Sequence, residues 1–224
     1  SQMIAKLAAN GFDLESVDYL GIESKGFQTL PELNANREAP GMLWTLKATG
    51  RRFGFDKPVS ACQEYVFRPE RRVTPQSGLW RDGVWYDYLY VTDFTIRDYL
   101  LSLAHGCTCI STGHLEDSVG TYYDTNWGAG GQCKAYPLSY PKRMFVALAT
   151  FTKVFDKAKF TRRVPTDGNS TYALEFRRGD GKFATAVWTT RGKAALKVEG
   201  ASGTAISIMG RERSFGGLFG KNLV

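Results

Sequence analysis

No run of apolar residues in the 224-residue chain reaches the roughly 18 to 20 positions that a bilayer-spanning helix needs, so no segment reads as a membrane span. The opening residues also lack the basic, apolar and small-residue progression of a signal peptide. That lack says nothing about compartment, because "MIAKLAANG" (3–11) reads as the end of a helix already under way, stopped by Asn10 and Gly11. Cysteine is scarce: Cys62, Cys107, Cys109 and Cys133 show neither CxxC nor Cys/His zinc spacing. Cys107 and Cys109, two apart in "CTCIST", are expected to share one strand face and to pack as buried thiols. Internal repeats, low-complexity stretches and compact Lys/Arg runs are missing too. The last absence argues against nucleic acid as a partner.

What is present is an ordinary globular composition, 43% apolar and 23% charged. Charge is uneven. Residues 1–156 hold 16 Lys/Arg against 17 Asp/Glu, a balance of −1, whereas residues 157–224 hold 13 against 5, a balance of +8. This step places a domain boundary at 156/157 and gives the second domain a solvated basic surface.

The first domain alternates strand and helix signals. "SVDYLGIES" (16–24), "PVSACQE" (58–64) and "CTCIST" (107–112) have the character of buried parallel strands. Between the first two lies a helix with Pro40 in its first turn, Met42, Leu43 and Leu46 on its apolar side, and Gly50 as its stop. A second helix is capped by Thr92 or Asp93, carries Phe94, Ile96, Tyr99, Leu100 and Leu103 as a stripe, and ends at Gly106. After the third strand a long loop, 113–140, leads to a helix opened by Pro141 and reaching Phe155. A loop of that length inside a compact domain is normally functional. From Lys157 the signals become short alternating strands, "TYALEFRR", "FATAVWTTRG", "AALKVEG" and "TAISIMG", with turns such as "GDGK", which predicts a small antiparallel β-sandwich. The fold class is therefore α/β plus all-β.

Glu64 is the last residue of the second strand and is followed by an arginine-bearing loop, "YVFRPERR". Alternation along "PVSACQE" puts Ser60, Cys62 and Glu64 on one face and Val59, Ala61 and Gln63 on the other. In a parallel barrel, functional side chains gather at the C-terminal strand ends, so Glu64 is expected at the rim of a cavity.

"DKPVSACQE", then "RDYLLSLAHGC", then "YPKRMFVALATFTKVFDKAKF" leading into a β module, resembles the C-terminal part of clan A glycoside hydrolases, retaining enzymes built on a (β/α)8 barrel. The resemblance covers nearly the whole chain. It implies a partial barrel, strands six to eight, followed by a β-sandwich, with residues 1–156 and 157–224 as the two domains. It makes Glu64, at the end of a strand-seven-like "kPv…tE" segment, the nucleophile. It also implies that the acid/base glutamate lies on a strand four outside this chain, so the partner of this piece is the N-terminal half of the barrel and the piece alone is inactive. A secreted or periplasmic location follows from the resemblance.

Retaining hydrolysis needs two carboxyl groups about 5 to 5.5 Å apart, one attacking the anomeric carbon and one protonating the leaving oxygen. Sugar sites pair aromatic platforms with a few polar groups. Trp85 after strand seven and Trp127 in "NWGAGG" after strand eight fit the first requirement, and Glu23, His114 and Asp117 offer partners for substrate hydroxyls. One histidine with two carboxylates in "GHLED" is thin evidence for a metal, so no metal and no cofactor enter this reading. The substrate class is an oligo- or polysaccharide. The competing reading is a non-catalytic carbohydrate-binding or scaffolding protein, complete as a short α/β unit.

Overall fold

The computed structural model describes residues 2–23, 32, 39–64, 88–112, 115–117, 131–194 and 202–215. The chain divides into two compact units, Ser1–Phe145 and Val146–Val224. Helix α4 (Arg143–Phe155) places its Phe155 ring 5.1 Å, edge-on, from Phe176 of the β module, and so groups with the sheet on which that ring packs.

The first unit opens with α1 (Gln2–Ala9), which ends at Gly11 as its sequence predicts. Gly11 takes φ 71°, and the Gly11 and Phe12 N–H groups bond the Ala8 and Leu7 carbonyls at 3.1 and 3.0 Å, a Schellman closure. Asp13 then accepts the Glu15 N–H and caps a short 3-10 turn, Leu14–Ser16. That turn delays the first strand: β1 spans Leu20–Glu23, not 16–24. Helix α2 (Ala39–Arg52) runs through Gly50 instead of stopping there. It closes at Gly54 (φ 76°), where the Phe55 N–H reaches the Gly50 carbonyl at 2.8 Å. Gly50 serves close packing: a Cβ there would fall inside contact distance of the Phe55 carbonyl oxygen and lie 3.0 Å from Leu20 Cδ1. Gly50→Ala gains about 1 kcal/mol of helix propensity but incurs an overpacking cost of about 1–3 kcal/mol. The expected outcome is a net loss of stability, read as a lower Tm.

Strands β1, β2 (Val59–Glu64) and β3 (Cys107–Thr112) form a parallel sheet in sequential order, β1-β2-β3. With right-handed crossovers, sequential order sends both connecting helices to one face. Leu20, Val59, Ala61 and Cys107 are buried there with Ile4, Leu43 and Phe55, and Leu14, Val17, Leu46 and Ile110 close the cluster. On the opposite face Gly21 and Cys109 are exposed and Ser60 between them is half-buried. The described strands do not close into a barrel.

Helix α3 (Tyr88–Ala104) begins earlier than its expected cap, so Thr92 lies inside the helix. It packs against α2 and β3. Phe94, Ile96, Tyr99 and Leu100 are buried as the stripe predicts, but Thr92, Thr95, Asp98 and Ser102 are buried as well. The Ser102 hydroxyl donates to the Asp98 carbonyl at 2.6 Å within the helix, which lets a polar group sit in the interior. Gly106 (φ 85°) ends the helix as predicted.

The second unit contains α4 and two antiparallel sheets, β4-β5-β6 (Lys159–Arg163, Thr171–Arg177, Phe183–Thr189) and β7-β8 (Gly203–Ile206, Glu212–Phe215). Two of these strands were not expected. β4, "KFTRR", is exposed throughout, so it has no apolar alternation to betray it; backbone pairing to β5 holds it. β8, "ERSF", is likewise short and polar. Regular pairing of β5 with β6 puts Tyr172, Leu174 and Phe176 on one face, and Leu174 and Phe176 are buried there. Phe160 meets Phe176 edge-on at 5.6 Å, and Tyr172 stacks on Trp188 at 5.2 Å with Arg163 over its ring.

On the other face, Arg162 pairs with Glu175 at 2.9 Å. The hydrogen bond from Arg162 holds the Glu175 carboxyl below its ordinary value, with a smaller contribution from the Thr161 hydroxyl. A depressed carboxylate pKa adds stability that is complete above the unfolded carboxyl range and is lost as pH falls through the lower folded value. The stability deficit of Glu175→Gln is therefore expected to be complete above the ordinary carboxyl range, about pH 4.3, and to shrink as pH falls below it, as measured by Tm across a pH series.

Candidate active site

The C-terminal ends of the three parallel strands carry Glu23 on β1, Glu64 on β2 and Thr112 on β3. Glu23 pairs with Cys62, two residues short of Glu64, which leaves the two backbones within roughly 8 Å of each other. Glu64 is paired directly with Thr112. This rim is where functional groups collect on parallel α/β sheets.

Register in the second pair of strands is not regular. One shift falls between Val59 and Ser60, where β3 holds an extra residue, and another between Ala61 and Glu64, where β2 does. The first shift corrects an expectation: Cys107 is buried and Cys109 exposed, so the two cysteines lie on opposite faces, not on one. The second means that alternation counted from Ser60 does not carry through to Glu64. Bulges of this kind re-aim strand ends and are common beside active sites.

Beyond β3 the chain builds a clasp from residues 115–117, 131–134 and 140–142. Glu116 bridges Cys133 in parallel, and Cys133 bridges Pro141 in antiparallel fashion. The Asp117 N–H donates to the Cys133 carbonyl at 2.9 Å and the Lys142 N–H to the Gln132 carbonyl at 2.9 Å. A side chain ties the clasp to the rim: Gln132 Nε2 donates to Thr112 Oγ1 at 2.7 Å.

Asp117 is at the centre of this clasp, 4% exposed. Its Oδ1 accepts the Gly131 N–H at 3.0 Å and forms a short ion pair with Lys142 Nζ, while Lys134 Nζ stands 3.7 Å from Oδ2. Gly131 fits because a Cβ there would collide with the backbone of Glu116 and Asp117. Through these contacts Asp117 joins the two stems of the loop.

Glu23 and Glu64 are thus brought to neighbouring strand ends and Asp117 to the clasp beside them. Trp85, His114 and Trp127 lie outside the described residues. Sequence reasoning missed Thr112, Gln132 and Lys142. A signal for Lys142 existed: with Arg143 it puts two cations at the N-terminal end of α4, where the helix dipole disfavours them. Carboxylates answer both, since Arg143 lies 3.7 Å from Asp93. Between the clasp's last two stems, Tyr136 and Leu138 are exposed, an apolar knuckle that the sequence also did not flag. Among the described residues no group of three or more His, Cys, Asp or Glu is arranged to hold a metal, and no helix is long and apolar enough to cross a membrane.

No protein-family model matches the sequence, and no curated protein matches it significantly. Among solved structures, the chain is similar to a family 39 glycoside hydrolase from the gut symbiont Bacteroides cellulosilyticus WH2, with a TM-score of 0.61 and 13% sequence identity. The match takes in 95% of this chain and 45% of that one, so this chain spans under half the length of its structural neighbour. At this identity the likeness is one of fold: an α/β part followed along the chain by a β module, similar to part of a glycoside hydrolase.

Proposed function

We propose that the chain is the C-terminal part of a retaining glycoside hydrolase, with β1, β2 and β3 as barrel strands six, seven and eight. In this reading Glu64 is the nucleophile, and the acid/base carboxyl comes from residues outside this chain. The observation that carries it is a glutamate ending the central strand of a sequentially ordered parallel sheet that is packed on one face, with Gly21 and Cys109 exposed on the other. Isolated parallel sheets are covered on both faces, whereas a barrel wall packs its outer face on helices and turns its other face to a shared lumen. The fold likeness to part of a glycoside hydrolase supports the same reading.

The chemistry divides cleanly. A Glu64 oxygen attacks the anomeric carbon, the bond to the leaving oxygen breaks as the second carboxyl protonates it, and water then releases the glycosyl ester. Glu23 contributes a hydrogen-bonding group one strand away, and Trp85, His114 and Trp127 line the oligo- or polysaccharide substrate. The clasp around Asp117 supports the root of the loop that carries Trp127.

Incubating the full-length protein with activated fluoro-glycosides, then mapping labelled peptides by mass, tests the assignment. The expected ester lies on the peptide containing Glu64. A label on another carboxylate, an inverted product, or sugar binding without turnover would replace this reading, the last with a non-catalytic carbohydrate-binding protein.

A further inference from the structure

The face of the β4-β5-β6 sheet opposite Leu174 and Phe176 has its own chemistry. Along β6 the residues on this side, Phe183, Thr185 and Val187, are exposed, while Ala184, Ala186 and Trp188 on the other side are half-buried. Phe183 is 62% exposed. Register aligns three residues in one row across the sheet: Lys159 opposite Arg177, and Arg177 opposite Phe183.

Like charges directly opposite each other destabilise a strand pair. Three carboxylates of this unit are paired with other cations: Glu175 is held by Arg162, Asp180 by Arg178 and Glu212 by Lys153. Asp156, whose carbonyl lies near Gly179, two residues from Arg177, is the acidic neighbour of the row. Two cations roughly 5 Å apart lie side by side, with an exposed aromatic ring about the same distance further along the row. They stand in the part of the chain whose charge balance is +8.

We propose that this face binds an acidic polysaccharide. Lys159 and Arg177 hold a uronate carboxylate, Phe183 receives the C–H face of a sugar ring, and the Thr185 hydroxyl bonds the ring's fringe. The choice of polysaccharide among polyanions rests on the glycosidase reading above; the anion site itself does not. Its aromatic surface also separates it from a nucleic-acid site. Among the described residues the site offers one ring and no row of aromatic platforms on which successive bases would stack.

The test uses the full chain in gel retardation against three probes: polygalacturonate, its methyl ester (the same rings without charge) and single-stranded DNA. The variants are Lys159→Gln with Arg177→Gln, Phe183→Ser alone, and a control with equal charge loss, Arg191→Gln with Lys193→Gln, at the far end of β6. Polygalacturonate is expected to bind, and its ester not to. The row variant should bind roughly tenfold more weakly with Tm no lower than wild type, Phe183→Ser several-fold more weakly, and the control as wild type. Unchanged binding by the row variant, an equal loss in the control, or tighter binding of DNA than of polygalacturonate would overturn the proposal. Glu64→Gln should leave retardation unchanged, so failure of the nucleophile assignment and failure of this site read out separately.

Discussion

Glu64→Gln in the full-length protein is expected to reduce kcat/KM on aryl glycosides by at least about 10³-fold, a loss of roughly 4 kcal/mol of transition-state stabilisation. The amide is close in size to the carboxylate, so the fold should survive and Tm should not move. What disappears is the oxygen that forms the bond to the anomeric carbon. A merely structural glutamate would produce a different pattern, and chemical rescue separates the two. Glu64→Gly with added azide should recover activity and release a glycosyl azide of inverted configuration, because the small anion attacks from the side the carboxylate vacated. Full activity in Glu64→Gln, or rescue without inversion, would remove Glu64 from the reaction. Thr112, directly beside Glu64 in the sheet, is the described residue best placed to influence it.

Asp117→Ala should be the most damaging substitution in the clasp. It removes the carboxylate that ion-pairs with both Lys142 and Lys134, so the buried Lys142 ammonium loses its short ion pair. Breaking a buried pair by removing one partner costs about 3–5 kcal/mol, which corresponds to a fall in Tm of roughly 10 °C for a unit of this size. Hydrogen exchange locates the effect. The Asp117 and Lys142 amides, bonded to the Cys133 and Gln132 carbonyls, should lose protection before those of β1 and β2. Replacing both partners, Asp117→Leu with Lys142→Met, should recover part of the loss, since the double change removes the Lys142 ammonium along with the carboxylate. If Asp117→Ala is as stable as wild type, the clasp does not hold the loop.

Helix α2 shows why the sequence was readable in part. Leu43 and Leu46 at helical spacing pointed to the buried side correctly, because periodicity is local and needs no knowledge of the partner. Gly50 misled because a glycine that ends a helix and a glycine that lets a neighbouring backbone approach look alike in one dimension. Only the Phe55 carbonyl packed against it tells them apart. The candidate site divides the same way. Glu64 as a strand-terminal carboxylate was legible from "PVSACQE", but the fate of Asp117 was not, since its partner Lys142 lies across a long loop.

By itself the sequence determined the order of the parts, α/β first and antiparallel β after, and the place of Glu64 at the end of a strand. Each of these follows from spacing, caps and turns within a few residues. Only the tertiary structure decided which faces those residues occupy. A register shift between β2 and β3, one extra residue in β3, turns Cys109 away from Cys107, and backbone pairing with β5 makes a strand of the charged segment "KFTRR". The physical reason is that a strand's face and a buried charge's partner are set by hydrogen bonds between segments far apart in the chain, where one inserted residue reverses every side chain that follows.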